Sequence, residues 1–319
     1  MLNGKKLVII MGAGRSGTTW LQAMLDSCSS VVTMSELRVL AYTGQWMARW
    51  QLHDERPYAT GLPLLWTREE MLDEMRTLAE KTYARLVQHH PDATIILDKT
   101  PRYVYQHDHI RTLFPETHFI HVIRDGRDVT ASTLAAAQDW GAHWAPHKAR
   151  NAARQWVKDV VAGREAQSYT DYYTEVRYEE LLANDTKALQ RVFTAMGINK
   201  SHDEIQAIYK AHTLEKMRAN YTIPDNDERS QKAETGIFKM PKSFYRQGQA
   251  MGWQTDLTPS QKYAVFQEAQ DLLLSLGYAT SDTWWRTEPL QDTFVKSKYA
   301  VMKLRHRWHA IRKSLFQVI

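Results

Sequence analysis

Short unbroken apolar runs alternate with longer stretches in which apolar residues recur at helical spacing. Leu7 to Met11 is such a run, rich in β-branched residues, and predicts a strand buried on both faces of a parallel sheet. Gly12, Gly14 and Gly17 follow, then Thr18, Thr19 and the periodic set Trp20, Leu21, Met24 and Leu25, which together predict strand, glycine-rich turn and helix. Val31 to Met34 is a second apolar run, ending at Ser35-Glu36. Thr67 with Glu70 reads as a capping box before Met71, Leu72, Met75, Leu78, Ala79, Tyr83 and Leu86 at helical spacing. Ala93 to Leu97 predicts a strand closed by Asp98-Lys99-Thr100-Pro101, and the stretch 114–124 a turn and a strand. Residues 151–164 read as helix, 175–181 as strand and cap, and 181–214 as helical with a break at Gly197-Ile198. The alternation predicts an α/β domain.

Residues 41–66 interrupt this rhythm. They carry Tyr42, Trp46, Trp50, Tyr58 and Trp66, with Gly44, Pro57, Gly61 and Pro63 expected to break regular structure. An insert here lies over the strand C-termini, where α/β folds bind substrates, so an acceptor pocket and an ordinary aromatic cover are both open readings. Trp140, His143, Trp144 and His147 form a second aromatic, irregular stretch. Pro146 between the histidines argues against a regular helix and against a zinc site.

Composition narrows the classes. With 319 residues, 43% hydrophobic and 24% charged, the chain can bury a large core. A single cysteine, Cys28, excludes an intramolecular disulfide framework and a cysteine-only metal site, and leads us to expect a reducing compartment. The first strand begins after MLNGKK, so no signal peptide is expected, and no apolar run approaches membrane-spanning length. These point to a cytoplasmic protein. Net charge is +5, yet the tail from Lys296 carries seven cations and no acid, leaving −2 for the remainder. Val301, Leu304, Trp308, Ile311 and Leu315 recur at helical spacing among those cations. That pattern suits peripheral contact with the inner face of an anionic membrane, or docking on the acidic body.

The chemistry concentrates after the first strand. Glycines let backbone N–H groups and a helix N-terminus converge on one anion, so a phosphate is the expected guest. Gly12 to Thr19 nearly matches G-x-x-x-x-G-K-[ST], but Thr18 stands in the lysine position and Arg15 is the only cation of the loop. Arg15-Ser16-Gly17-Thr18-Thr19-Trp20-Leu21 resembles the [KR]-S-G-T-T-x-[LW] loop of sulfotransferases that use 3′-phosphoadenosine 5′-phosphosulfate (PAPS). Arg124 followed eight residues later by Ser132 is similar to that family's 3′-phosphate motif. Phe244-Tyr245-Arg246-Gln247-Gly248 and Met251-Gly252-Trp253 resemble the F-M-R-K-G and G-D-W loop of cytosolic members. Tyr178 matches the tyrosine of [YH]-Y-E-[DE]-[LM], and Met34-Ser35-Glu36-Leu37-Arg38 is similar to G-E-E-T-R of the tyrosine-sulfating branch.

The resemblance implies a central parallel sheet flanked by helices, of P-loop nucleotide-fold type, over about residues 1–290 with an insert at 40–90, then a basic helix over 291–319. It implies transfer of a sulfuryl group from PAPS to a hydroxyl, with the amides of Gly14 to Thr19 on the 5′-phosphate. Arg124, Ser132, Arg246, Gln247 and Gly248 hold the 3′-phosphate, and Trp20 and Tyr178 flank adenine. The resemblance implies Glu36 as the base, and Pro101 in place of the catalytic histidine of the cytosolic K-T-H moves the role towards it, with a histidine base as the alternative; Arg15 and Lys99 are implied to stabilise charge on the sulfuryl group. No metal is needed, and no nucleic acid is implied. Gln254, Thr258, Pro259 and Tyr263 depart from the cytosolic dimer motif, which leaves the oligomeric state open. The aromatic stretches and the tail favour a lipid, polyketide, glycan or other small-molecule hydroxyl over a protein tyrosine. A P-loop kinase using ATP and Mg²⁺ is the alternative, disfavoured by Thr18. A non-catalytic nucleotide-binding protein is another, disfavoured by Glu36 with Lys99.

Overall fold

The computed structural model describes residues 2–55, 60–221, 241, 243–246 and 248–286. Within them the apolar runs become five strands: β1 (Lys6–Gly12), β2 (Val31–Ser35), β3 (Ile95–Lys99), β4 (His118–Ile123) and β5 (Tyr173–Arg177). They form one all-parallel sheet in the order β2-β3-β1-β4-β5. β1 takes the centre because it can be buried on both sides. Leu7, Ile9 and Met11 enter one apolar cluster, Val8 and Ile10 the other, and all five are 3% exposed or less.

The first connections are α1 (Thr18–Asp26), α2 (Val39–Asp54) and α3 (Arg68–Val87). The Thr67–Glu70 capping box forms as expected. Next come α4 (His107–Leu113), α5 (Gly126–Ala137) and α6 (Ala149–Glu165). After β5 follow α7 (Tyr178–Leu182), α8 (Thr186–Met196), α9 (His202–Ala211), α10 (Leu214–Tyr221), α11 (Trp253–Asp256) and α12 (Pro259–Ser275). Gly197 ends α8 in the left-handed conformation, at the break read from sequence. Helices α2, α3 and α4 cover one face of the sheet, α1, α8 and α9 the other, while α5, α6 and α12 pack together around Trp156, Val160 and Val265.

The parallel arrangement positions the site. All five strands finish on one edge, so Arg15, Glu36, Lys99, Arg124 and Tyr178, each at or just past a strand end, are delivered to that edge. β1 lies between β3 and β4, where the order reverses and such sheets bind ligands.

The insert differs from expectation. Gly44 does not break the chain: α2 runs through it for 16 residues. The missing Cβ is used for packing, since one placed there would stand 3.2 Å from the His109 ring and would strike Gln106. A glycine costs about 1 kcal/mol inside a helix, which close packing between α2 and α4 offsets. Pro57, Tyr58, Gln247, the stretch 222–240 and the basic tail lie outside the described residues.

Candidate active site

The loop after β1 closes on the start of α1. Gly17 caps that helix at φ 92°, in the left-handed region, and the ring of Tyr178 lies where its Cβ would be, at 2.4 Å. Only glycine allows this approach. Thr18 and Thr19, in the first turn, are buried, and no side chain caps the helix, so its leading N–H groups are open to an anion. The Ser16 hydroxyl is fully buried without a hydrogen-bond partner among the described residues.

Three guanidinium groups converge beside this loop. Arg15, at φ 73°, donates from Nε to Ser132 Oγ on α5 (3.1 Å) and from Nη2 to the Phe244 carbonyl (2.7 Å). Arg124, at the end of β4, donates to the carbonyls of Arg15 (3.2 Å) and Gln249 (3.0 Å) and lies over the Tyr178 ring at 4.1 Å. Its Nε is buried without a partner among the described residues. Arg246 pairs with Asp256 at 2.6 Å. Burial, then the charges of Arg124 and Arg246, push Arg15 down to about 10. Desolvation and two neighbouring cations both favour an anion beside Arg15.

Arg15, Gly17, Thr18, Thr19 and Trp20 line one cavity together with Arg124 and Ser132. Tyr178, Arg246 and Gly248 complete it, with Asp128. Asp128, on α5, accepts the backbone N–H of Met251 and of Trp253, each at 2.8 Å, and so pins the C-terminal loop against the cavity.

A second cluster stands at the ends of β2 and β3, where Ser35 is in register with Lys99. Lys99 is 1% exposed and meets Glu36 Oε1 at 3.2 Å, while Arg38 holds Oε2 at 2.7 Å. Burial opposes ionisation of Glu36, but Lys99 and Arg38 outweigh it and hold the carboxyl below its usual range. On the other face of β3, Asp98 is fully buried and accepts hydrogen bonds from Tyr83 and Tyr103, each at 2.9 Å.

The model of the sulfotransferase family matches residues 8–203, well over half of the chain. The chain belongs to the sulfotransferase family. A protein-tyrosine sulfotransferase of Drosophila melanogaster is 29% identical over 132 residues, 40% of this chain; the match spans about a quarter (25%) of that relative's length. Two solved sulfotransferase structures share the fold. One is the sulfotransferase domain from the curacin biosynthetic pathway, with TM-score 0.53 and 18% identity over 84% of this chain and 97% of that one. The other is mouse sulfotransferase SULT7A1 complexed with PAP, with TM-score 0.54 and 12% identity over 86% and 89%.

In this member of the sulfotransferase family Arg15, Gly17, Thr18, Thr19, Arg124 and Ser132 share one cavity, while Glu36 and Lys99 form a second cluster. Arg15, expected beside the sulfuryl group with Lys99, instead reaches to Ser132, and its charged neighbours are Arg124 and Arg246. The charged neighbours of Lys99 are Glu36, Asp98 and Arg38. Trp20 and Tyr178, expected on either side of adenine, both line the cavity and meet edge to face with ring centres 5.7 Å apart. Gly14 and Ser16 belong to the loop without lining the cavity. The acid and arginine of Asp125-Gly126-Arg127 pair at 2.6 Å, with Asp125 also capping α5. His143 lies in a turn, the His147 ring meets the Ala142 carbonyl at 3.0 Å, and among the described residues no group of His, Cys, Asp or Glu is placed to hold a metal.

Sequence reasoning missed Arg38, Asp128 and Trp140. Arg38 was visible as a cation two residues from the candidate base, and Asp128 as an acid facing the same way as Ser132, one helical turn earlier. Trp140 was visible only as part of an aromatic stretch with Trp144, because its other ring and cation neighbours, Phe244 and Arg15, are distant in sequence.

Proposed function

We propose that this chain transfers the sulfuryl group of PAPS to an acceptor hydroxyl. The observation that carries the reading is the Arg15, Arg124, Arg246 and Ser132 cluster on one cavity with the glycine loop. The residues fit the nucleotide: the unpartnered Ser16 Oγ and Arg124 Nε and the crowded guanidiniums all call for anionic oxygens. Arg15, Arg124, Ser132 and Arg246 would hold the 3′-phosphate, and the amides of residues 14–19 the 5′-phosphate. PAPS, when bound, supplies a sulfuryl group on a phosphate leaving group. Glu36 would take the hydroxyl proton at a carboxylate oxygen, and Lys99 would hold positive charge beside it. The mouse relative is complexed with PAP, in keeping with this ligand.

The acceptor is read as a lipid, polyketide or glycan hydroxyl in preference to a protein tyrosine. Tyr42 and Trp46, 56% and 63% exposed and one turn apart on α2, support an acceptor with a broad apolar face. The single cysteine supports a reducing, cytoplasmic setting, and the basic amphipathic pattern of the tail supports contact with an anionic membrane surface. Among the described residues no helix is long and apolar enough to cross a membrane.

Thermal stabilisation by PAP greater than that by ATP with Mg²⁺ is the expected result; the reverse preference would overturn the reading in favour of a kinase. With labelled PAPS and a lipid and metabolite extract, Glu36→Gln should lower turnover by roughly 10²- to 10⁴-fold while PAP affinity stays within about twofold. Unchanged turnover would remove Glu36 from the mechanism.

A further inference from the structure

Arg124 and Arg246 each have an evident restraint, a tyrosine ring and a carboxylate. Arg15 has no salt bridge among the described residues, although the charges of Arg124 and Arg246 both bear on it. A buried guanidinium without a counter-ion swings towards whatever acceptor is near unless packing holds it. Here the packing is aromatic. The Arg15 guanidinium carbon lies 4.4 Å from the centre of the Phe244 ring and 5.1 Å from that of Trp140. The two rings touch each other at 5.2 Å, and Trp140 is backed in turn by Trp144 at 5.4 Å. Phe244 belongs to the C-terminal loop, and Trp140 to the turn after α5. The Asp139 carboxylate accepts a hydrogen bond from Ser243, which ties these segments together next to the rings.

A ring face attracts a guanidinium without consuming its N–H donors. Of the five donors, Nε goes to Ser132 and one on Nη2 to the Phe244 carbonyl, so others remain for an anion. A carboxylate in the same place would compete with the ligand. The aromatic pair holds Arg15 while leaving the site short of negative charge.

We infer that Trp140 is a positioning residue for nucleotide binding: it acts through Arg15, holding the guanidinium against Ser132 so that it meets the phosphate already oriented. This rests on the nucleotide site described above, and its failure is separable from failure of that reading.

The test is a double-mutant cycle on PAP affinity, measured by calorimetry, with Trp140→Leu, Trp140→Phe, Arg15→Ala and Trp140→Leu/Arg15→Ala. Trp140→Leu should bind PAP about tenfold more weakly than wild type, and Trp140→Phe should restore affinity to within about threefold. In the Arg15→Ala background, Trp140→Leu should cost less than about twofold, since the group it positions is gone. An unchanged affinity in Trp140→Leu overturns the inference. So does a loss of equal size with and without Arg15, which would mark Trp140 as a general support of the fold. Should Trp140→Leu fail to fold, Trp140→Phe against Trp140→Met carries the same comparison. A wild type that prefers ATP with Mg²⁺ to PAP refutes the nucleotide assignment itself, whatever Trp140 does.

Discussion

Two cations hold one carboxylate at Glu36, and they differ in how easily they can let go. The ionised form suits a base, but a carboxyl held below its usual range is a weak one, and catalysis favours a group tuned near the working pH. Lys99 is 1% exposed and fixed within the sheet edge. Arg38 is 57% exposed along its side chain and sits at φ 56°, a conformation that costs a non-glycine residue on the order of 1 kcal/mol or more. Arg38 is therefore the more easily displaced of the two partners. Because it stabilises the charged form, removing it raises the Glu36 pKa. In Arg38→Ala the Glu36 carboxyl, followed by ¹³C NMR, should titrate at higher pH than in wild type, and the acidic limb of the rate profile should move the same way. An unmoved titration would show that Lys99 alone sets it. Glu36 and Lys99 were legible in sequence because each follows an apolar run that ends on the binding edge. The left-handed backbone of Arg38 was not, because the sign of φ at a non-glycine residue is set by its surroundings.

The binding edge also depends on how the loop over residues 243–253 is fastened. That segment has little regular structure before α11, and Met251 sits at φ 62°. Asp128 receives the N–H groups of both Met251 and Trp253, so one carboxylate on α5 replaces the ladder bonds the loop lacks. Charge-assisted hydrogen bonds of this kind contribute roughly 1.5–3 kcal/mol each. Asp128→Ala would leave two N–H groups without their acceptor and free the loop that carries Arg246. It should speed amide exchange at Met251 and Trp253 by at least tenfold and weaken PAP binding, with β1 and β4 amides unaffected. Equal acceleration throughout would point to global destabilisation instead. The motif Phe244 to Trp253 was readable as a unit, and the resemblance put Arg246 on the right side of the cavity. Its anchor was not readable, because Asp128 lies in a stretch whose charges alternate, and only the helix of α5 reveals that Asp125 and Arg127 pair with each other while Asp128 turns to the loop. Gly44 shows the opposite error: a residue read as a breaker was there for packing between two helices distant in sequence.

Taken whole, the molecule carries several histidines in its interior, and they tie its stability to pH. Beneath β4, His121 is fully buried, its Nδ1 is 2.7 Å from the Tyr173 hydroxyl, and its ring fills the space over Gly163. Burial, then the charges of Arg164 and His107, push its imidazole down to about 3, and burial likewise brings His118 and His109 to about 4. A neutral form favoured in the fold, against an unfolded value near 6.5, contributes stability that is fully present above 6.5 and is lost as pH falls towards the folded value. Asp98 pulls the other way, since burial raises it to about 6, so stability from that group is lost as pH rises through 6. The pH curve of the whole protein is a sum of these opposing parts, and a difference between two variants isolates one of them. His121→Gln keeps a polar partner for Tyr173 and removes the titration. Whatever the substitution costs at pH 7, that cost should shrink by about 2 kcal/mol between pH 7 and pH 5, the slope approaching roughly 1.4 kcal/mol per pH unit below pH 6, in paired urea unfolding curves. A cost that stays constant over this range would mean that His121 binds its proton inside the fold as readily as outside it, and that the interior beneath β4 is open to water.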